Sequence, residues 1–409
     1  MNPLLIFGAD NFSQFPRRDP SVSSKCGRAL AIAKRDDIVV LRGNLSHDYQ
    51  SWLLSHGLGS ENVVEYGIQS SEMTLSELIV NNPVPIKKII KKAKKKRVYV
   101  PWLSGHMENE AAKAVGADLF GAPESETIKY NDKASFKRIC QQLGITVVKG
   151  DAFEITSGDE ENYFQFKKSI NHYLSTSKTV IIRGTMGEAG MSLYKSCGND
   201  MAILYQQIVK SGEKVVMIEP FLDVSSSPND QWVIDRTGKI THLGMREQIC
   251  ERGMVYIGTI KREISNKTVV ETISKISLKI VSQMARSGYR GVVGIDYIVT
   301  DEGIYPIENN ARFNGSSYAS MIVENVEEKL KFSYPCWKFL KIKTEACSFL
   351  DLIKRMESIL YDGKILNCVF PYDCESLPIS GEFAVLLLAP NMDQILCLEK
   401  SLNEMGIKR

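Results

Sequence analysis

Gly294-Ile-Asp-Tyr-Ile-Val-Thr-Asp-Glu-Gly-Ile-Tyr-Pro-Ile-Glu-Asn-Asn-Ala-Arg312 decides the fold. Residues 292–299 are rich in β-branched side chains and read as one strand; 304–309 read as a second. Asp301-Glu302-Gly303 between them predicts a hairpin with a three-residue loop, Gly303 taking its left-handed position. That loop pairs Thr300 with Ile304. Counting back in twos then pairs Asp296 with Glu308 and Gly294 with Asn310. Asp296, Glu308 and Asn310 thus share one face. Directly opposed Cβ atoms sit about 4.5–5.5 Å apart, and two carboxylates held there repel unless a cation lies between them. Mg²⁺ takes such hard oxygen donors and keeps coordination places for water and phosphate. Arg312, just past the strand, offers a fixed fork for a phosphate or carboxylate. The competing reading is a solvated acidic hairpin. Pro306 and the apolar flanks favour a partly buried strand instead, and the Pro favours an edge.

Working outward, 409 residues suffice for two or three domains, and a formal charge of +3 does not imply nucleic acid as a partner. Nine scattered cysteines without a Cys-x-x-Cys pair fit reduced thiols in a cytoplasm. The start has no basic segment before a long apolar run, and no stretch reaches the roughly 20 apolar residues of a membrane helix. Five histidines (47, 56, 106, 172, 242) are spread out and form no cluster.

Residues 3–7 and 38–41 read as strands, with a helix over 26–35 between them and a further strand at 98–100. Strand, helix, strand implies a parallel α/β domain over 1–125. The first turn lacks Gly-x-Gly-x-x-Gly, so a dinucleotide site is not supported there. Residues 87–97 hold eight basic side chains in eleven positions. They read as a solvated helix face or as a docking patch for an acidic partner such as a carrier protein or nucleic acid, though the run lacks the interleaved aromatics of a single-strand site.

Asp132 or Asn131 caps a helix carrying Lys133, Gly144 ends it, and 145–148 reads as a strand. Arg183-Gly-Thr-Met-Gly-Glu-Ala-Gly190 joins two strands, its glycines 184, 187 and 190 letting backbone N–H groups close on phosphate. The strand 215–218 ends in Glu219-Pro-Phe-Leu-Asp223, a linker suited to reading an adenine edge. Residues 232–234 and 240–243 pair as a hairpin, followed by the polar cluster Arg246, Glu247 and Gln248; 272–285 reads as a helix. Beyond 323 lie an amphipathic helix from Phe349, a buried strand over 383–389 and a last helix, with no catalytic constellation. A packing or lid role is the default for that region.

These parts, in this order, resemble the ATP-grasp superfamily over about 126–320: Asn131-Asp132-Lys133 with Gly144-Ile-Thr-Val; the glycine loop; Glu219-Pro-Phe-Leu; Gly294-x-Asp296; and Glu308-x-Asn310-x-Arg312. Glu-Asn-Asn-Ala-Arg-Phe-Asn-Gly-Ser-Ser and Gly381-x-Phe383 are similar to ligases of antibiotic biosynthesis of the butirosin and pheganomycin type. The resemblance implies an α/β (α+β) ATP-grasp fold: a pre-ATP-grasp domain over 1–125, the nucleotide domain over 126–323 and an α+β region over 324–409. It implies ATP with one or two Mg²⁺, or Mn²⁺. Lys133 would reach the phosphates. Arg183 stands where a second lysine is usual, and Gly184, Gly187 and Gly190 would cover the triphosphate. Glu219, Phe221, Leu222 and Asp223 would hold the nucleoside. Asp296, Glu308 and Asn310 would hold metal, and Arg312 and Arg246 would steady an acyl phosphate.

The implied reaction is phosphoryl transfer to a carboxylate, then attack by an amine or a carrier-protein thiol, releasing ADP and phosphate. A small-molecule kinase, or a nucleotide-binding protein without turnover, is the alternative. A homodimer is common in that superfamily, and the residues leave the oligomeric state open.

Overall fold

A computed structural model describes residues 3–10, 25–67, 73–91, 95–186, 192–251, 255–264 and 266–409. The N-terminal layer is a five-stranded parallel sheet, ordered Asn62–Glu65, Ile38–Leu41, Leu4–Gly8, Arg97–Pro101, Asp118–Leu119. Its inner strands are almost wholly buried, which is why they are apolar runs rather than alternations. The helix expected over 26–35 shrinks to a 3₁₀ turn, Cys26–Ala29, followed by further turns. The segment is tied to the C-terminal half instead. Glu375 accepts from the Gly27 N–H at 2.6 Å, and the Asn325 amide donates to the Ala31 and Ile32 carbonyls. Carbonyls satisfied from outside do not need a helix to bond them.

A small antiparallel sheet follows, ordered Asp151–Glu154, Val215–Pro220, Val180–Gly184, Leu193–Ser196. The strand expected at 145–148 is not formed. Gly144, at φ +67°, ends the helix Lys133–Gln142, and Ile145 and Val148 are buried anchors in irregular chain. Their β-branched signal reports burial, not strand pairing.

The large sheet has eight strands: Gly303–Asn310, Gly291–Thr300, Pro228–Ile234, Ile240–Glu251, Val255–Lys261, Cys336–Lys343, Glu382–Ala389, Cys368–Tyr372. The last three come from the region beyond 323, so that region extends the sheet. Its apolar side chains form one core with the N-terminal sheet and the helix Gly315–Leu330. The helix Lys267–Arg286 packs Ile273, Ile280 and Met284 under the hairpin strands as a second core.

The opening hairpin forms with a different turn. Thr300 pairs with Gly303, leaving a two-residue turn at Asp301-Glu302, and Gly303 is not left-handed. The Thr300 hydroxyl accepts both the Glu302 and Gly303 N–H groups at 3.2 Å, closing the turn without a positive φ. Taken alone, this shortening moves the register by one. A bulge at Ile307 moves it back: Tyr297 faces Pro306, yet Asp296 faces Glu308 and Gly294 faces Asn310. Gly303–Asn310 is the edge strand, where Pro306 removes no ladder bond.

Candidate active site

Asp296 lies in a strand with paired neighbours on both sides, Asn229 and Glu308. It is 8% exposed, and Asn229, Gln248 and Asn310 all donate side-chain amide hydrogens to it, the last two at 2.9 and 3.0 Å. Burial first, and the Glu308 charge second, push its carboxyl up to about 7. Beyond Glu308 stands Lys133, its Nζ 3.3 Å from Oε1. A cavity of about 270 Å³ opens over this face, lined by Asp296, Glu308, Asn310, Arg312, Lys133 and Arg183 among others.

Asp132, not Asn131, caps the helix that presents Lys133, accepting from the Ser135 N–H at 2.7 Å. Asn131 serves as a strut: its side chain bonds the Ala311 backbone and accepts from Arg312 Nη1 at 3.0 Å. The lysine helix and the strand carrying the carboxylates are therefore fixed to each other by two buried amides, Asn131 and Asn309, the latter donating to the Tyr130 carbonyl at 3.1 Å. The Arg312 guanidinium also lies 5.3 Å from the centre of the Trp102 ring.

Arg183 and Glu219 meet. Glu219, 3% exposed, accepts from Arg183 Nε at 3.0 Å and Nη2 at 2.5 Å, and from Lys137 Nζ at 2.8 Å. Burial pushes its carboxyl up, but Arg183 and Lys137 outweigh it and hold the group below its ordinary range. The Glu219 carboxylate is thus occupied, and its side chain does not line the cavity. Arg183 also donates to the Ile307 carbonyl at 3.1 Å, gripping the bulge. Its planar fork makes three bonds to two acceptors, Glu219 Oε2 and the Ile307 carbonyl, in a way that a lysine ammonium does not. Gly184 closes its strand, its N–H on the Ser192 carbonyl at 2.9 Å; Gly187 and Gly190 lie outside the described residues. The Phe221 N–H donates to Thr179, and Lys195 Nζ sits 3.5 Å from the Phe221 ring centre. Leu222 is half-buried and Asp223 exposed; of this linker only the following Val224 lines the cavity. Arg246 stands apart from the cavity lining: its Nη1 donates to the Leu243 and Gly244 carbonyls, and Trp337 covers it.

Sequence reading missed Asn229, Gln231 and Asn314 as site residues, and named Gln248 only as part of a polar cluster. Asn229 and Gln231 sit two apart on the buried strand Pro228–Ile234, so both face the site. Gln231 donates to Asn229 and to Asn314, the cap of helix Gly315–Leu330, and accepts from Ser317. The signal was present as polar residues at period two, but a strand taken to start at Trp232 leaves them out. Gly294 is required beneath this network: a Cβ there would lie 2.7 Å from Gln231 Nε2.

Two carboxylates and nearby amide oxygens are a hard-donor set, and the raised Asp296 carboxyl marks a place where a cation would replace a proton. Among the described residues no group of three or more His, Cys, Asp or Glu side chains is placed to hold a metal. The residues present therefore fit Mg²⁺ with few protein ligands, the remainder being water or phosphate. Asn310 presents its amide nitrogen to Asp296 and would turn its oxygen toward such an ion.

Residues 165–310, about a third of the chain, match the family described as L-aspartate--L-methionine ligase, ATP grasp. Solved structures share the architecture over nearly the whole length. A biotin carboxylase from Campylobacter jejuni in an ATP complex is 14% identical at TM-score 0.64, covering 99% of this chain and 92% of that one. The biotin carboxylase domain of Hydrogenobacter thermophilus 2-oxoglutarate carboxylase, with MgADP and bicarbonate, is 14% identical at TM-score 0.63, covering 99% and 91%. N5-carboxyaminoimidazole ribonucleotide synthetase from Thermus thermophilus is 11% identical at TM-score 0.59, covering 98% of each chain. No curated protein matches the sequence. The three sheets, the order of the elements and these structural likenesses give this chain the ATP-grasp fold, and the stretch 165–310 is similar to an ATP-grasp ligase family.

Proposed function

We propose that the protein is an ATP-dependent ligase. It activates a carboxylate as an acyl phosphate and joins it to an amine, or to a carrier-protein thiol, releasing ADP and phosphate. The observation that carries this reading is the opposed Asp296–Glu308 pair, with Lys133 beside it, on the floor of a cavity between two antiparallel sheets. Asp296, Glu308 and Asn310 would hold one or two Mg²⁺, which supply charge neutralisation between the phosphates and the incoming carboxylate. Lys133 binds the phosphates from the N-terminal turn of its helix. Arg312, braced by Asn131 and Trp102, orients the carboxylate and the acyl phosphate made from it. Such a site works by position and charge, and needs no nucleophilic side chain.

In this reading Arg183 is chiefly a positioning residue: it ties the small sheet to the bulge at Ile307 through its own bond to that carbonyl, and Glu219 holds its guanidinium in place. The linker 221–223 serves the nucleoside through its backbone, and Glu219 supports it. The matched family favours an amino-acid or peptide product. The finer grouping with butirosin- and pheganomycin-type ligases rests on the Glu308-to-Ser317 motif and on Gly381-x-Phe383. Lys87 and Lys88 are exposed on the short helix Val84–Ile90, consistent with docking a carrier protein; residues 92–94 of that basic run lie outside the described residues. No described helix is long and apolar enough to cross a membrane, and all nine cysteines are free, consistent with a reducing compartment.

Mass analysis of products from mixed amino acids, ATP and Mg²⁺ tests the proposal. ADP, phosphate and an amide in equal amounts support it. ADP with a stable phosphorylated product, or ATP bound without release, contradicts it.

A further inference from the structure

Asp296 ends a chain of buried amides whose direction is fixed at both ends. An ionised carboxylate only accepts hydrogen bonds, so Asn229 turns its Nδ2 toward Asp296 Oδ1 and its oxygen away. That oxygen accepts from Gln231 Nε2, which also donates to Asn314 Oδ1 at 3.1 Å. At the far end the Ser317 N–H, in the first turn of helix Gly315–Leu330, needs an acceptor and takes Asn314 Oδ1 at 3.1 Å. Gln231 Oε1 meanwhile accepts from the Ser317 hydroxyl at 3.1 Å. Gln231 is therefore the node of the chain. Both its amide hydrogens and its oxygen are engaged, and turning the amide over would set its oxygen against two others. It is 1% exposed, and glycines face it from both neighbouring strands, Gly244 and Gly294. Asn229 and Asn314 line the cavity; Gln231 stands behind them and does not.

The two oxygens of Asp296 are held differently. Oδ1 accepts from Asn229 and, at 2.9 Å, from Gln248, whereas Oδ2 accepts from Asn310 at 3.0 Å. Asn310 is the amide that would turn its oxygen to an ion, and its turning frees Oδ2 to join it. We propose that Gln231 is a positioning residue for the reaction. Through Asn229 it pins Oδ1 and so presents Oδ2 to the metal. Through Asn314 it locks the start of helix Gly315–Leu330, whose Gly315 and Ser316 line the same cavity. Volume alone does not call for a glutamine here. An apolar side chain of the same size would fill the space over Gly294, yet leave the buried Asn229 and Asn314 oxygens each one donor short. The inference rests on the metal reading for Oδ2, and on the hydrogen bonds alone for the coupling of Asn229 to Asn314.

The test is Mn²⁺ binding to the whole chain in the presence of ADP, read by electron paramagnetic resonance. Gln231→Met should weaken it by about 10- to 100-fold, the usual cost of removing a partner that orients a metal ligand. Asn229→Ala should do the same. The double variant should bind no more weakly than the weaker single one, because both changes break one connection. A glutamine that only fills space predicts a lowered melting temperature in Gln231→Met with Mn²⁺ affinity unchanged. That result overturns the proposal, as do losses that multiply in the double variant. If the wild type binds no Mn²⁺, the metal reading has failed by itself. Urea unfolding of Gln231→Met, Asn314→Ala and their double variant then decides the coupling. A double-variant midpoint equal to the lower single midpoint upholds it, and shifts that add overturn it.

Discussion

Glu219→Gln is the most informative single change to the frame around the site. The carboxylate is 3% exposed and is the shared counter-ion of Arg183 and Lys137, whose side chains are only 9% and 11% exposed. A glutamine keeps the size and one acceptor oxygen but removes the charge. The one amide oxygen replaces two carboxylate oxygens, and beyond it Arg183 has the Ile307 carbonyl and Lys137 the Gly150 carbonyl among their described acceptors. Breaking a buried pair by neutralising one partner costs about 3–5 kcal/mol, because the desolvated cations stay behind. Two cations depend on this one group, so the upper part of that range is expected. Urea unfolding at neutral pH measures it. Linkage supplies a second signature. The folded-state carboxyl is held below its ordinary 4.5, so its contribution is present above about that pH and is lost as pH falls through the folded value. The wild type should therefore show an acid limb in its stability profile that Glu219→Gln lacks. A loss under about 1 kcal/mol, with the acid limb intact, would refute the reasoning.

Three further outcomes follow from the same geometry. Asp296, raised to about 7 from 3.8, favours the folded metal-free protein at low pH and loses that advantage as pH rises through about 7. The cost by neutral pH is on the order of 4 kcal/mol at most. A melting temperature that falls from about pH 4 to pH 7 without metal, recovers with Mg²⁺, and does neither in Asp296→Asn is expected in calorimetric scans. Lys133→Met should raise KM for ATP by about 10- to 100-fold in steady-state kinetics, the loss of one charge-assisted phosphate contact. Gly294→Ala should cost about 1–3 kcal/mol in denaturant unfolding, since its methyl would displace Gln231 from the amide network.

The fold was legible where sequence and local physics agree. The parallel layer follows from its apolar runs, the lysine helix from Asp132 and Gly144, and the edge strand from Pro306. The carboxylate pairing was reached through a three-residue loop that does not form. The two-residue turn at Asp301-Glu302 and the bulge at Ile307 each move the register by one, in opposite senses. A bulge carries no signature in Pro-Ile-Glu; here it is stabilised by Arg183, 124 residues away. The amide shell was readable in principle from Asn229 and Gln231 at period two. The engagement of Glu219 by Lys137 and the pairing of Lys25 with Asp373 at the cavity wall were not. They depend on contacts between segments as distant as Lys25 and Asp373, 348 residues apart, and no local pattern reports such contacts.

Turnover of Glu308→Gln at saturating Mg²⁺ tests the central claim most directly. The substitution keeps the hairpin, the bulge and the volume of the side chain, and removes one of the two opposed charges. If the pair holds the metal that the phosphates need, turnover falls by about 10²-fold or more while the melting temperature holds. A Glu308→Gln protein that forms product at a near-normal rate would contradict the account.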